Sequence, residues 1–337
     1  MDQEREFREP PPRGIAGHWR QLALPALGIV ALMSFLVMAR PPSDLYLWRV
    51  IFQFGHIPLF GFAALLMLRI VRVLRAGAAP ESLNFLIALL ATAILSLVSE
   101  AAQVVQPGRS VNIGDALNNL TGALCFIGIA AASRPGLWRT LGRDGLMAAR
   151  LVLIGASLAL ALSAIPLLTM AWSYAMRQAA LPVVADLAAS WQQPFLSVGR
   201  AEAIPVPRPE GWPAETAGPV VRLTFLDAPW PGFTVREPYP DWSGYEALRF
   251  RVWSALESPV EIVLRVDDTH RGRSHADRFN SSFIVLPGMN DFSVPLETVA
   301  RGPRERTLDL ADISQFVLFS RRPEEPFELY FSRVWLE

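Results

Sequence analysis

The chain has 337 residues, 52% of them hydrophobic, and a formal net charge of zero. Its mean hydropathy of +0.29 is too apolar for an ordinary soluble protein and makes a membrane protein the starting class. All 31 basic residues are arginine and 31 acids match them, so the basic excess expected of a nucleic-acid binder is absent, and no nucleic-acid partner is expected.

Five apolar runs occupy the first half, at about 21–39, 48–70, 83–105, 115–133 and 150–172. Each is close to the roughly 20 residues that span a bilayer as a helix. The spacing therefore predicts a short tail over 1–20 and a transmembrane domain of about five helices over 21–175. The first run could also be a signal peptide, ending at Val37-Met38-Ala39, but it is longer than a usual signal core and is read as a span. Cys125 is the single cysteine and lies inside the fourth run, which excludes an intrachain disulfide; it reads as a small buried hydrophobe.

Orientation follows from the arginines flanking the spans. Arg5, Arg8, Arg13 and Arg20 precede the first, Arg69, Arg72 and Arg75 follow the second, and Arg134, Arg139, Arg143 and Arg150 lie between the fourth and fifth. The alternate loops are poorer in arginine. This places the N-terminus in the cytoplasm and, with five spans, the C-terminal part outside. The expected location is a bacterial inner (plasma) membrane, with a periplasmic or extracellular C-terminal domain.

The polar residues within this apolar region need an explanation, because a carboxylate at bilayer depth costs at least a few kcal/mol. The stretch from Ser96 to Gly122 contains most of them. Ser96, Glu100 and Gln103 share one face of the third helix; Asp115, Asn118, Asn119 and Gly122 share one face of the fourth. Pro107, Gly108 and Arg109 form the turn between, and His56 with Pro58 lies in the second helix. Topology brings His56, Glu100, Gln103, Arg109, Asp115, Asn118 and Asn119 to the outer half of the bundle, as one polar pocket. The competing reading pairs Glu100 and Asp115 with Arg109 to fix the bundle and uses the amides to join helices.

At these residues, in GHIPLFGF, SEAAQVVQPGR and DALNNLTGALCFIG, the segment over about 45–130 resembles the VanZ-like family of bacterial membrane proteins. The resemblance implies a cell-envelope role, the family being named for a component of glycopeptide-resistance clusters. It implies no known reaction. The family-like positions are His56, Glu100, Gln103, Arg109, Asp115, Asn118, Asn119 and Gly122.

After about 175 the pattern changes. A weak helical stretch and repeated prolines read as a linker over 176–197. From 198 to 337 short runs such as VVRLTFL, ALRFRVW, EIVLRVD, QFVLFS and FELYFSRVWL alternate with turns, which predicts an all-β sandwich. In PVEIVLRVDD, Val260, Ile262, Leu264 and Val266 share the inward face. The strand order resembles the galactose-binding-like jelly-roll domains found among carbohydrate-binding modules. That resemblance implies the fold, and glycan binding only as an expectation.

Trp242 and Tyr245 read as caps on the core. Arg265, Asp267 and His270 are the candidate glycan contacts, on or beside a polar sheet face. Asp267 and Asp268 fall far short of the 6–8 oxygen ligands a calcium ion takes, so no metal is expected. No cofactor is expected either, there being no phosphate-cradling glycine loop.

Three functions compete. The first is recognition of a glycan or lipid-linked envelope precursor by the membrane pocket and the external domain. The second is a membrane enzyme in which His56 and Glu100 supply acid–base chemistry and Arg109 holds an anionic group; no activated serine or cysteine accompanies them. The third is a scaffold docking an envelope protein.

Overall fold

The computed structural model describes residues 19–75, 80–104, 112–212, 219–272 and 274–337. The chain divides into two compact units, Met1–Leu168 and Thr169–Glu337. The helices are α1 (Trp19–Met38), α2 (Tyr46–Leu74), α3 (Glu81–Val104), α4 (Ile113–Ala132), the single turn α5 (Pro135–Trp138), α6 (Gly142–Ser163) and α7 (Ile165–Ala179). Five helical stretches among the described residues are long and apolar enough to cross a membrane: α1, α2, Glu81–Ala102, α4 and Gly142–Ala179, the last formed by α6 and α7. These coincide with the five expected runs.

The helices of the first unit show membrane-type amphipathicity. On α3, Leu86, Leu90, Ile94 and Leu97 recur at helical spacing and are exposed, whereas Ala88, Thr92, Ser96, Ser99 and Glu100 on the opposite face are buried. The large apolar side chains face the lipid position, and small and polar ones face the helices, because lipid tails give no hydrophobic reward for burying leucine between helices. Thr92 and Ser99 return their hydroxyls to their own helix, donating to Ala88 O and Ser96 O. Small residues also set the approach of α2 to α4. A Cβ at Gly122 would lie 2.0 Å from Ile57 O, so the fourth helix can touch the backbone of the second only with glycine there.

At the other end of the bundle Arg72 Nη2 donates to Glu81 Oε1 (2.9 Å) and Arg75 Nε to Asn84 Oδ1 (2.9 Å). These bonds tie α2 to the start of α3. Asn112 caps α4, its side-chain oxygen accepting from Gly114 N at 2.9 Å.

The second unit is an antiparallel sandwich. Its strands are β1 (Val183–Asp186), β2 (Leu196–Gly199), β3 (Ala201–Val206), β4 (Val220–Phe225), β5 (Gly232–Arg236), β6 (Ala247–Ser254), β7 (Val260–Asp268), β8 (Phe279–Val285), β9 (Gly288–Pro295), β10 (Ile313–Phe319) and β11 (Phe327–Leu336), with a short helix α8 (Leu296–Ala300) after β9. One sheet runs β3-β4-β11-β6-β9, with β1 added alongside β11; the other runs β2-β5-β10-β7-β8. The first strand thus lies inside the stretch expected as a linker, and Trp191, Gln192 and Phe195 of that stretch are buried.

Phe225, Phe233, Phe250, Phe316 and Trp242 fill the space between the sheets, together with Ile262, Leu264 and Val266 from the inward face of β7. Trp242 is fully buried and satisfies its indole N–H on Tyr239 O (2.7 Å). Tyr245 packs against the same core.

Candidate functional site

In the helical unit the expected polar residues converge on one amide. Asn119 is completely buried, projecting from α4 one turn before Gly122, where the helix meets α2. Its Nδ2 donates to Ser96 Oγ (2.9 Å) and Glu100 Oε1 (3.2 Å), both on α3, and its Oδ1 lies 2.8 Å from His56 Nδ1 on α2. When Glu100 is ionised its carboxylate can only accept, so the amide presents its NH2 to Glu100 and its oxygen to His56. Nδ1 of His56 then carries the proton, and in the neutral ring Nε2 keeps its lone pair. The array runs His56, Asn119, Glu100 across three helices, every donor pointing toward the carboxylate.

His56, 8% exposed, forms part of the wall of a recess of about 840 Å³ between α1, α2 and the start of α4. Its lining mixes apolar side chains, among them Phe35, Leu36, Ile51, Phe52 and Leu59, with the polar Arg49, Gln53, Asn112 and Asp115. Arg49 lies over the ring of Tyr46, 5.5 Å from its centroid. Asn118 Nδ2 donates to Gln53 O (3.1 Å), holding α4 to the α2 backbone, and Asn112 Nδ2 reaches Asp115 Oδ1 at 3.3 Å. The recess combines a cation, an anion, amides and an imidazole with apolar side chains.

The structure thus brings His56 and Glu100 each into contact with Asn119, sets Asp115 in the recess lining with His56, and ties Asn118 to the neighbouring Gln53 backbone. Gln103 lies on α3, but its side chain falls outside the described residues, as does the whole of Arg109. Ser96, read only as sharing the Glu100 face, is a bonded member of the array. Arg49, Gln53 and Asn112 were not among the expected residues. At the ends of apolar helices such side chains look like ordinary solvated caps, and only the three-dimensional recess distinguishes them.

In the sandwich, Arg265, Asp267 and His270 differ in environment. His270 is exposed in the turn after β7, and Arg265 is half-buried. Asp267 is completely buried beneath arginines, and so offers no exposed carboxylate on the sheet face. It accepts from Arg265 Nε (3.1 Å) and Gln315 Nε2 (2.6 Å), pairs with Arg265 Nη2 at 2.7 Å and Arg271 Nη1 at 3.5 Å, and has Arg278 Nε at 3.9 Å. Next to it, Arg306 takes both Asp268, at 2.8 Å through Nη2, and Asp277.

Burial alone would raise the Asp268 carboxyl. Hydrogen bonds from Arg306 and the Asp309 N–H outweigh it and leave Asp268 below the usual carboxylate range. Asp277 is also lowered, first by the Gly272 N–H and then by Arg306. Among the described residues no cluster of histidine, cysteine and carboxylates suits a metal ion.

The family model described as VanZ/LLP1 matches residues 17–134. No curated protein matches the chain. Among solved structures, the chain is similar to a family 11 carbohydrate-binding module from Clostridium thermocellum in complex with a β-1,3-1,4-mixed-linked tetrasaccharide. The identity is 13% over 46% of this chain and 93% of that one, with a TM-score of 0.36. It is also similar to a family 30 carbohydrate-binding module of a cellulosomal cellulase of the same organism (15% identity, 42% and 90% coverage, TM-score 0.31). A third similarity is to an exo-β-agarase (15% identity, 46% of this chain and 24% of that one, TM-score 0.38).

Proposed function

We propose that this is a cell-envelope membrane protein of a bacterial inner membrane. Its helical unit receives the polar head of a lipid-linked envelope component in the recess beside His56, and its sandwich, outside the cytoplasm, binds glycan. The observation that carries the reading is the fully buried Asn119, bonded at once to His56, Ser96 and Glu100 beside that recess. Burying an amide, a carboxylate and an imidazole among apolar helices costs several kcal/mol unless each is bonded. A bundle needing only cohesion could use small apolar residues there. The recess suits an amphiphile, because its lining combines apolar Phe35, Leu36, Phe52 and Leu59 with polar Arg49, Gln53 and Asp115. The arginine distribution supports the outward placement of the sandwich.

The test is native mass spectrometry of the full chain in lipid nanodiscs containing polyprenyl-phosphate-linked saccharide. Retention of that lipid is expected, with loss in His56→Gln and Arg49→Gln while the protein stays folded. Equal retention by wild type and both variants sinks the reading.

One observation favours a second reading, as an enzyme. With Nδ1–H given to Asn119, Nε2 of His56, a recess-lining residue, is left as a proton acceptor, and Asn119 links that imidazole to the Glu100 carboxylate. Turnover of a polyprenyl-linked substrate that Glu100→Gln abolishes would replace recognition by catalysis. Loss of folding in Glu100→Gln would instead favour the scaffold.

A further inference from the structure

Three guanidinium groups surround the single carboxylate of Asp267: Arg265 at 2.7 Å, Arg271 at 3.5 Å and Arg278 at 3.9 Å. One would neutralise it. The arginine side chains are 21%, 41% and 12% exposed and the carboxylate 0%, so the surface offered to solvent is cationic. The neighbouring Arg306 is taken by Asp268 and Asp277. The seven groups together are four cations and three anions, with the surplus of positive charge lying on the Asp267 side. The crowding is felt within the cluster: burial first, then Arg265, lowers the affinity of Arg278 for its proton.

Strand register places this cluster on a continuous outer face. Gln315 of β10 pairs with Asp267 on one side and Arg236 on the other, bringing a fourth arginine to the same row. Two residues further along β10 from Gln315, Val317 pairs with Arg265; two further, Phe319 pairs with Val263. Phe319 meets the edge of Trp230, ring centroids 5.7 Å apart. Trp230 is 58% exposed and held at φ 62°, a left-handed conformation that costs an aromatic residue energy and fits a displayed ring. About 7 Å of strand separates the Phe319 row from the Arg265 row, at roughly 3.3 Å per residue. Trp230 lies beyond Phe319, so an aromatic ring and a patch of guanidiniums share one face of the sheet, an arrangement that matches a saccharide with an apolar ring face and a carboxylate, phosphate or sulfate substituent.

We infer that the outer face of the β2-β5-β10-β7-β8 sheet is a recognition site for an acidic glycan, its anionic group held by Arg265, Arg271 and Arg278 and a neighbouring sugar ring by Trp230. The inference rests on reading the sandwich as a glycan-binding module and adds the charge class of the glycan.

The test is calorimetric titration of the detergent-solubilised full chain with galacturonate oligosaccharides and, in parallel, with neutral mixed-linked β-glucan oligosaccharides. Preferential binding of the acidic ligand is expected, weakening about tenfold or more as ionic strength rises from roughly 0.05 to 0.5 M. Arg271→Gln and Trp230→Ala are each expected to weaken it about tenfold. Asp267→Asn removes the counter-charge and is expected to strengthen it, whereas an Asp267 that itself bound sugar hydroxyls would give weakening. Circular dichroism confirms that each variant is folded. Binding of the neutral glycan alone, untouched by Arg271→Gln, overturns the inference and leaves the glycan-binding reading standing. Binding of neither ligand by folded protein overturns both. Equal binding of a single-stranded oligonucleotide overturns it too, by reducing the patch to unspecific charge attraction.

Discussion

The guanidinium of Arg306 joins the carboxylates of Asp268 and Asp277. Asp268 is fully buried and its folded pKa is depressed. A depressed carboxylate contributes stability that is present above its unfolded value, roughly 3.9, and is lost as pH falls through the folded value. The sandwich is therefore expected to lose stability on acidification below about pH 4, followed by tryptophan fluorescence, and Asp268→Asn is expected to flatten that slope. Arg306→Ala leaves a buried unpaired charge. It should cost about 3 kcal/mol, the lower end for broken buried pairs, because Arg306 is 27% exposed and water can replace part of the contact. At this scale His56, Glu100 and Asn119 were legible in the sequence, because a polar group in an apolar helix needs a partner. The burial of Asp267 was not. Gln315 comes from a strand almost fifty residues further along, and Arg271 and Arg278 from the segment connecting to β8, so the covering groups are assembled by pairing that no local pattern announces.

At the scale of elements, the five spans were readable because apolar length is a property of the chain itself. The inward face of β7 was readable from its alternation. β1 was not: four residues of strand just beyond α7, ahead of a proline-punctuated stretch, give too little period to separate from a linker, and its stability comes from pairing with β11. The close approach of α2 and α4 belongs to this scale as well. Leucine at Gly122 would drive the helices apart and pull Asn119 away from His56. Gly122→Leu is expected to lower the unfolding midpoint of the helical unit in detergent, by an overpacking cost of about 1–3 kcal/mol or more, and to abolish lipid retention. An unchanged midpoint would show that the helices can separate without cost.

At the scale of the molecule, the two units have separate cores. The sandwich core draws its buried side chains from Val184 to Leu336, and the helical clusters draw theirs from Leu36 to Ile127. Thermal unfolding in detergent is expected to show two transitions, one moved by Arg306→Ala and the other by Gly122→Leu, each variant leaving its counterpart in place. A single transition moved equally by both would mean that the units unfold together. The change of period expected near residue 175 lies close to the division between Leu168 and Thr169, but it carries no information on which polar groups each unit gathers.

The His56–Asn119–Glu100 array has one more property, which is polarity of arrangement. Each N–H points the same way along it, so the pattern cannot be half reversed: protonating Glu100 would let the acid donate, turn the Asn119 amide over, and require Nδ1 of His56 to become the acceptor. The imidazole tautomer thereby registers the protonation of a carboxylate it does not touch. Nitrogen-15 spectra of labelled histidine, of which the chain has four, should show His56 with its proton on Nδ1, and Glu100→Gln should remove the constraint that keeps it there.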